Sequence, residues 1–491
     1  MIKIKTIGEL KQSKYKPKSI KDELRDNLIV KLRNGEKRFT GILGFDETVL
    51  PDIERAILSR HNFLLLGLRG QAKTRIARKV IELLDEFIPI IQGSEINDDP
   101  LFPLSRFGKD LVAEMGDDTP IDWLHRSDRF IEKLATPDVS VADLVGDIDP
   151  IKAAALRLPY ADERVLHFGL LPRANRCIFI INELPDLQPR IQVSLFNALQ
   201  EGDIQIRGFK VRLPMDIQFI FTANPEDYTN RGSIITPLKD RIESQILTHY
   251  PESIDISKEI TQQEARISDA QKSSIYVPDL LKTLIEEIAF EARDSDFVDE
   301  NSGVSARLSI SAFENLVSAA ERRMLINGET NTSARISDFW GIIPAITGKI
   351  ELVYEGEQEG PYEVALLLLG KAIKKQFLSH FPNPEKPKKN DKDHYGPMKA
   401  FFSDGNTIDL LLDTNNGAYE MTLESVPGLK RLVKKFEEKE ELDLFAYMEL
   451  ALFGLTEFEQ LSKELIDNKF TFQDSLSDML SQILDEEEED L

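Results

Sequence analysis

A lysine and a threonine that close a glycine-containing loop can hold phosphate and a divalent cation, and Asn62 to Thr74 (NFLLLGLRGQAKT) has that order. The apolar run Phe63 to Leu66 reads as a buried strand. It breaks at Gly67 into a loop of Gly67, Leu68, Arg69, Gly70, Gln71, Ala72, Lys73 and Thr74, after which a helical pattern resumes. Such a loop turns successive backbone N–H groups toward the β- and γ-phosphates of a nucleotide, the helix N-terminus adds partial positive charge, and Lys73 adds a full one. Thr74 would offer its hydroxyl to Mg²⁺. The usual pattern G-x-x-x-x-G-K-[ST] wants glycine where this chain has Ala72, and alanine is at ease there only if its φ stays negative.

Further candidates follow at the ends of other apolar runs. Cys177 to Ile181 reads as a continuous strand that ends in Asn182-Glu183. An acidic pair at that end of a parallel strand, beside a phosphate loop, handles Mg²⁺ and the attacking water. Here Asn182 replaces the first acid and can accept a hydrogen bond from metal-bound water without bringing charge, while Glu183 can orient or polarise a water. MDIQFIFTANP ends a further core strand at Asn224, whose amide could hold the same water. Arg241, in TPLKDRIESQILTHYP, could reach a neighbouring subunit's nucleotide or form a surface ion pair with Asp240 or Glu243. Arg307 opens a helical pattern beside the turn NSGVSA, where it could face the phosphates.

The elements that must position these residues are legible in outline. Ser19 caps a helix through SIKDELRDNLIVKLRNG that stops at Gly35 and reads as a packing arm. Val49, Ile53 and Ile57 form one face of the next helix, suited to core packing or to flanking an adenine ring. TRIARKVIELLDEF places Ile76, Val80 and Leu84 inward, and IPIIQG follows as a short buried strand. Strand, helix, strand implies a parallel sheet. Residues 93–165 read as a partly packed insertion around Trp123, Phe130 and Ile131. PRIQVSLFNALQEG is an amphipathic helix and DIQIRGFKVRLP a hairpin around Arg207-Gly208. From residue 252 helices dominate, including later ones around Ile346 to Val353 and Tyr362 to Phe377. Residues 381–397 combine proline with charge as a linker does, and the remainder reads as mostly amphipathic helix with an acidic tail, Asp485 to Asp490. The expected divisions are 1–40, 41–251, 252–380, 381–397 and 398–491.

At 491 residues and 41% hydrophobic content the chain can bury several cores, two to four on a prior of roughly 150 residues per domain. The net charge of −24 disfavours nucleic acid and anionic lipid as partners. A single cysteine, Cys177, excludes an internal disulfide and a cysteine-built metal site, and makes an intracellular setting the default. The basic start lacks the apolar core of a signal peptide, and no run of about 18 apolar residues occurs. The expectation is a cytoplasmic protein without membrane insertion.

In order, GLRGQAKT, FIINE, FTANP, LKDR and GVSARLS resemble the motif series of AAA+ ATPases over about residues 40–350. Within that superfamily the chain is similar to MoxR-type ATPases and to the ATPase subunit of magnesium chelatase. HFGLLPRANRCIFIINE carries the likeness through the second nucleotide motif, and alanine at the place of Ala72 is common among MoxR proteins. The resemblance implies an α/β fold, a P-loop AAA+ core of parallel sheet flanked by helices, with an α-helical lid and a mainly helical C-terminal extension. It implies ATP and Mg²⁺ as ligands, with Lys73 and Thr74 on phosphate and metal. Asn182 would stand in the metal's outer shell through water, Glu183 would be the water-activating acid and Asn224 the first sensor. Arg241 would be the trans-acting arginine finger and Arg307 the second sensor. It also implies a hexameric ring and a partner carrying a von Willebrand A domain. The family usually has aspartate where this chain has Asn182, which leads to the expectation that ATP binds and is hydrolysed slowly.

The leading expectation is an ATP-driven motor that remodels a partner protein. The alternatives are the motor subunit of a metal chelatase and a nucleotide switch with little hydrolysis. Transcriptional activation through sigma-54 is disfavoured because the chain has no GAFTGA-like loop.

Overall fold

The computed structural model describes residues 4–13, 15–159, 162–206, 212–225, 233–385, 393–437, 441–466 and 468–475. The hairpin tip at Arg207-Gly208, the middle of the 381–397 segment and the acidic tail lie outside the described residues. The chain divides into two compact units, Met1–Tyr250 and Pro251–Leu491.

Short apolar runs build the sheet of the first unit: β1 (Phe63–Leu66), β2 (Phe130–Leu134), β3 (Cys177–Asn182), β4 (Ile217–Ala223) and β5 (Ser244–Leu247). The order is β5-β1-β4-β3-β2, and every pairing is parallel. Register aligns Leu66 with Ala223 and Leu134 with Asn182, so the residues that follow the strands gather at one edge. The period-2 alternation of the strands sorts their side chains onto two faces. Phe63, Leu65, Ile178, Ile180, Ile220 and Ile246 pack with α1 (Ile20–Arg33), α2 (Val49–Leu58) and α3 (Lys73–Lys79). Leu64, Phe179, Ile181, Phe219 and Phe221 fill the opposite core. Val49, Ile53 and Ile57 are buried in the first of these cores, as packing rather than as an open adenine wall.

The N-terminal arm is part of this unit. Ser19 caps α1 by accepting from the Asp22 N–H at 3.1 Å, and Ile20, Leu24 and Leu28 are fully buried. Glu23, from the polar side of the same helix, forms a bidentate pair with buried Arg129 at 2.6 and 2.7 Å.

Several expectations are corrected. The run IPIIQG does form a strand, Phe87–Ile91, but it pairs antiparallel with Ile121–His125 and stays out of the parallel sheet. Pro89 sits in its middle without an N–H to donate, which suits an edge and not a sheet interior, and the places beside β1 go to β4 and β5. The insertion instead supplies the edge strand β2, so Phe130 and Ile131 are sheet residues. The helix after the phosphate loop ends as α-helix at Lys79 and continues as one 3₁₀ turn, Val80–Leu83. PRIQVSLFNALQEG forms two short helices, Pro189–Ser194 and Phe196–Gln200.

The second unit is built on α4 (Asp279–Arg293), α5 (Arg307–Ile326), α6 (Pro361–His380) and α7 (Glu441–Glu457). Its hydrophobic cluster runs without a break in contacts from Ile275 to Phe472. No helix spans 346–353: one ends at Thr347, Leu352 bridges to Val298, and the next begins at Tyr354. A three-stranded antiparallel sheet, with Lys469–Gln473 between Ile408–Leu411 and Ser462–Ile466, accompanies the C-terminal helices. Phe470 from its central strand lies 4.2 Å from the Trp340 ring, which ties the sheet to the helical core. Among the described residues, no helix is long and apolar enough to cross a membrane.

Candidate nucleotide site

The loop between β1 and α3 is shaped by two left-handed residues, Gly70 at φ 77° and Ala72 at φ 55°. Ala72 therefore does not keep the negative φ that its side chain prefers. An alanine in this region costs about 1–2 kcal/mol, and the surrounding structure holds it there. Its carbonyl still accepts from the Ile76 N–H at 2.9 Å and so starts α3. Ala72→Gly is expected to raise unfolding stability by about 1 kcal/mol, read from urea denaturation, because the strain goes while the loop path stays. A loss of stability would mean that the alanine methyl contributes packing that outweighs the strain.

The rest of the loop is anchored from the strand end that follows β5. Thr248 donates its hydroxyl to Gln71 Oε1 at 2.7 Å, and its N–H reaches the Leu66 carbonyl at 2.8 Å. Tyr250 donates to the Arg69 carbonyl at 2.9 Å. A Cβ at Gly67 would collide with Gln71 Oε1 and Thr248 Oγ1, so glycine there answers to close packing and not only to a turn.

Lys73 is 7% exposed and directs its ammonium back into the loop, donating to the carbonyls of Gly67 and Leu68, the latter at 2.8 Å. It also donates to Asn224 Oδ1 at 2.6 Å. Asn224 in turn donates through Nδ2 to Glu183 Oε2 at 2.8 Å. One amide at the end of β4 thus bridges the loop lysine and the acid that follows β3. Glu183 takes a left-handed conformation, φ 53°, and its N–H donates to Thr222 Oγ1 at 3.2 Å. A non-glycine residue at such angles persists only where contacts over-determine it, and here they aim the carboxylate at Asn224.

Asn182 ends β3 and is 7% exposed. Its Oδ1 accepts from Thr74 Oγ1 at 3.3 Å and Thr222 Oγ1 at 3.1 Å, and its Nδ2 donates to Glu132 Oε1 at 2.5 Å. The second oxygen of Glu132 accepts from Arg78 at 2.8 Å. The donor set suits Mg²⁺ and polyphosphate: a hydroxyl, an amide oxygen and a carboxylate face a loop whose left-handed residues and helix start concentrate N–H groups. Cys177, at the opposite end of β3, is buried and its thiol is pushed up to about 12, so it takes no part.

The structure brings together Lys73, Thr74, Asn182, Glu183 and Asn224. It does not bring Arg241 to them. Arg241 stacks on the Phe196 ring at 4.5 Å and donates to Gln200 Oε1 at 3.0 Å and the Pro237 carbonyl at 2.6 Å. It pairs with neither Asp240 nor Glu243; the latter accepts from the Asn62 N–H at 2.9 Å. Arg307 lies in the second unit as the first residue of α5, exposed, where a cation opposes the helix dipole. Sequence reading missed Glu132, Thr222, Thr248 and Tyr250. Thr222 lies two residues before Asn224 in FTANP and was within reach of the strand alternation, whereas Glu132 was hidden in an insertion whose strand is recognisable only once paired with β3.

A family profile described as the Sigma-54 interaction domain matches residues 160–246, the stretch that carries β3, β4 and β5. The magnesium-chelatase 38 kDa subunit of Cereibacter sphaeroides is 26% identical over 215 residues, which is 42% of this chain and 57% of that protein. The chain thus spans little more than half the length of this relative. Among solved structures, the complex of subunits BchI and BchD of magnesium chelatase aligns at 18% identity over 65% of this chain and 98% of that one, with a TM-score of 0.32. NtrX from Brucella abortus in complex with ADP aligns at 12% identity over 92% and 67%, with a TM-score of 0.34. The first unit is thus an α/β domain with the parallel sheet β5-β1-β4-β3-β2 and a phosphate loop, similar over the matched residues to the Sigma-54 interaction domain and to the 38 kDa chelatase subunit.

Proposed function

We propose that the protein is a Mg²⁺-dependent ATPase whose turnover drives the remodelling or activation of a partner protein. The observation that carries this is Asn224, which joins Lys73 to Glu183 across three strand ends and places a phosphate-binding cation, a water-orienting acid and an amide within one hydrogen-bonded set. Lys73 would exchange its loop carbonyls for phosphate oxygens. Glu183 would orient a water for attack on the γ-phosphorus and take its proton, while the bond to the bridging oxygen breaks to leave ADP and phosphate. Thr74, and Asn182 through water, would hold Mg²⁺, which supplies charge neutralisation for the phosphates.

Arg241, stacked on Phe196 and bonded to Gln200 and the Pro237 carbonyl, would be the finger directed at a neighbour's nucleotide on the strength of the sequence resemblance. A hexamer, Arg307 as second sensor and a partner with a von Willebrand A domain complete the proposal on the strength of the sequence resemblance, with a cytoplasmic setting as the default for a chain with a single cysteine. The chelatase-subunit reading is the second one, favoured by the 26% identity to the 38 kDa chelatase subunit.

The test is calorimetric titration of MgATP into the wild type and Lys73→Ala. Binding by the wild type is expected, weakened about 10–150-fold in the variant, the range for a hydrogen bond to a charged group. No heat from the wild type would overturn the proposal.

A further inference from the structure

The sequence resemblance implies an aspartate where this chain has Asn182, and in the structure a carboxylate, that of Glu132, stands directly behind the amide. Glu132 lies on β2, whose register with β3 sets Leu134 opposite Asn182 and Glu132 opposite Ile180. Glu132 Oε1 accepts from Asn182 Nδ2 at 2.5 Å, while Asn182 Oδ1 is turned toward Thr74 and Thr222. Two hydroxyl donors on one side and a carboxylate on the other fix which way the amide faces. The amide oxygen must point to the threonine of the phosphate loop, and the amide nitrogen must point to the acid. Arg78, from α3, holds the other oxygen of Glu132 and leaves Oε1 for Asn182.

We infer that Glu132 supplies, through Asn182, the negative charge that the end of β3 lacks, so that the Mg²⁺ shell is served by an amide and carboxylate relay in place of a single acid. This rests on the reading of the first unit as a MgATP site. Glu132 is a positioning residue: it touches Asn182, and Asn182 Oδ1 faces Thr74 of the phosphate loop, which would hold the metal. The relay polarises the amide, strengthening Oδ1 as an acceptor for the Thr74 hydroxyl that would hold the metal, and it locks the amide against the flip that would present N–H groups to a cation. An aspartate at 182 would instead set two carboxylates at hydrogen-bonding distance without a proton between them, which costs more than it returns.

The experiment measures, by titration of ATP with and without Mg²⁺, how much the metal strengthens nucleotide binding in four proteins: wild type, Glu132→Gln, Asn182→Asp and the double variant. Glu132→Gln is expected to lose about tenfold or more of the metal-dependent gain, while ATP binding without metal stays within about threefold. Asn182→Asp is expected to show no improvement over the wild type. The double variant, which exchanges amide and carboxylate while keeping one charge, is expected to return to within about threefold of the wild type. The inference is overturned if Asn182→Asp alone raises the metal-dependent gain tenfold, if Glu132→Gln keeps the full gain, or if the double variant shows the two losses added. A wild type that binds no ATP under either condition sinks the functional reading itself, whereas a wild type that binds and a Glu132→Gln that matches it sink only this inference. Melting curves of all four proteins separate loss of fold from loss of metal response.

Discussion

Glu183→Gln is expected to lower steady-state ATP turnover by about 10²–10⁴-fold and to leave MgATP affinity within about threefold, the pattern for a group that acts on the attacking water and not on the bound nucleotide. Glutamine keeps the size of the side chain, and its carbonyl oxygen can still accept from Asn224 Nδ2, which now spans 2.8 Å to Glu183 Oε2. The left-handed backbone at φ 53° is no harder for glutamine than for glutamate, so the fold has no reason to change. What is lost is the proton acceptor. Equal turnover in the variant and wild type would show that another group activates water, and unchanged turnover together with lost affinity would show that Glu183 serves binding. On the proposed function the same variant would hold ATP without hydrolysing it, and it is the form in which to look for a co-purifying partner.

How much of this was legible in the sequence differs by the kind of signal. The loop from Gly67 to Thr74 and the strand ends at Asn182 and Asn224 were readable because each joins an apolar run to a polar residue type with a defined task, and all of them meet in the fold. The parallel sheet was expected for a reason that proved local and wrong: Phe87–Ile91 has the apolarity of a core strand, but Pro89 sends it to an antiparallel ribbon. Its replacement, β2, is a moderately polar FIEKL that no periodicity argument would rank above it. Strand order depends on contacts between residues far apart in sequence, such as Phe130 with Ile178.

The site shows the same limit. Ala72 reads as a residue that needs negative φ, because propensity is a local preference, whereas the anchoring of the loop by Thr248 and Tyr250 comes from about 180 residues away and overrides it. Asn182 reads as a missing charge, because sequence shows the substitution but not the neighbour. The carboxylate of Glu132 becomes visible only when β2 is laid beside β3. The C-terminal strand pair around Asn468 was overlooked for a different reason: the runs SKELI and KFTFQ are short and mixed, and burial of Phe470 and Phe472 against the helical core makes them strands.

Glu23→Ala is expected to cost the first unit about 3–5 kcal/mol, the range for removing one partner of a buried ion pair. Arg129 is 1% exposed, and its Nη1 and Nη2 donate to the two oxygens of Glu23 at 2.6 and 2.7 Å while Nε donates to the Arg176 carbonyl at 3.0 Å. Glu23 also accepts from the Asp85 N–H at 2.7 Å. The pair therefore pins α1 to the turns that lead into β2 and β3, the strands that carry Glu132 in the one and lead to Asn182 and Glu183 in the other. Truncating the acid strands a guanidinium in a place without water, and the loss falls on the register of those strands. Urea unfolding followed by Trp123 fluorescence in a Trp340→Phe background reads the first unit, since these are the two tryptophans of the chain. Replacing both partners by apolar residues, Glu23→Leu with Arg129→Met, should recover most of the loss, because the penalty lies in the unpaired charge more than in the missing pair. A loss below about 1 kcal/mol for Glu23→Ala would show that α1 is an appendage after all, and would detach the arm from the geometry of the site.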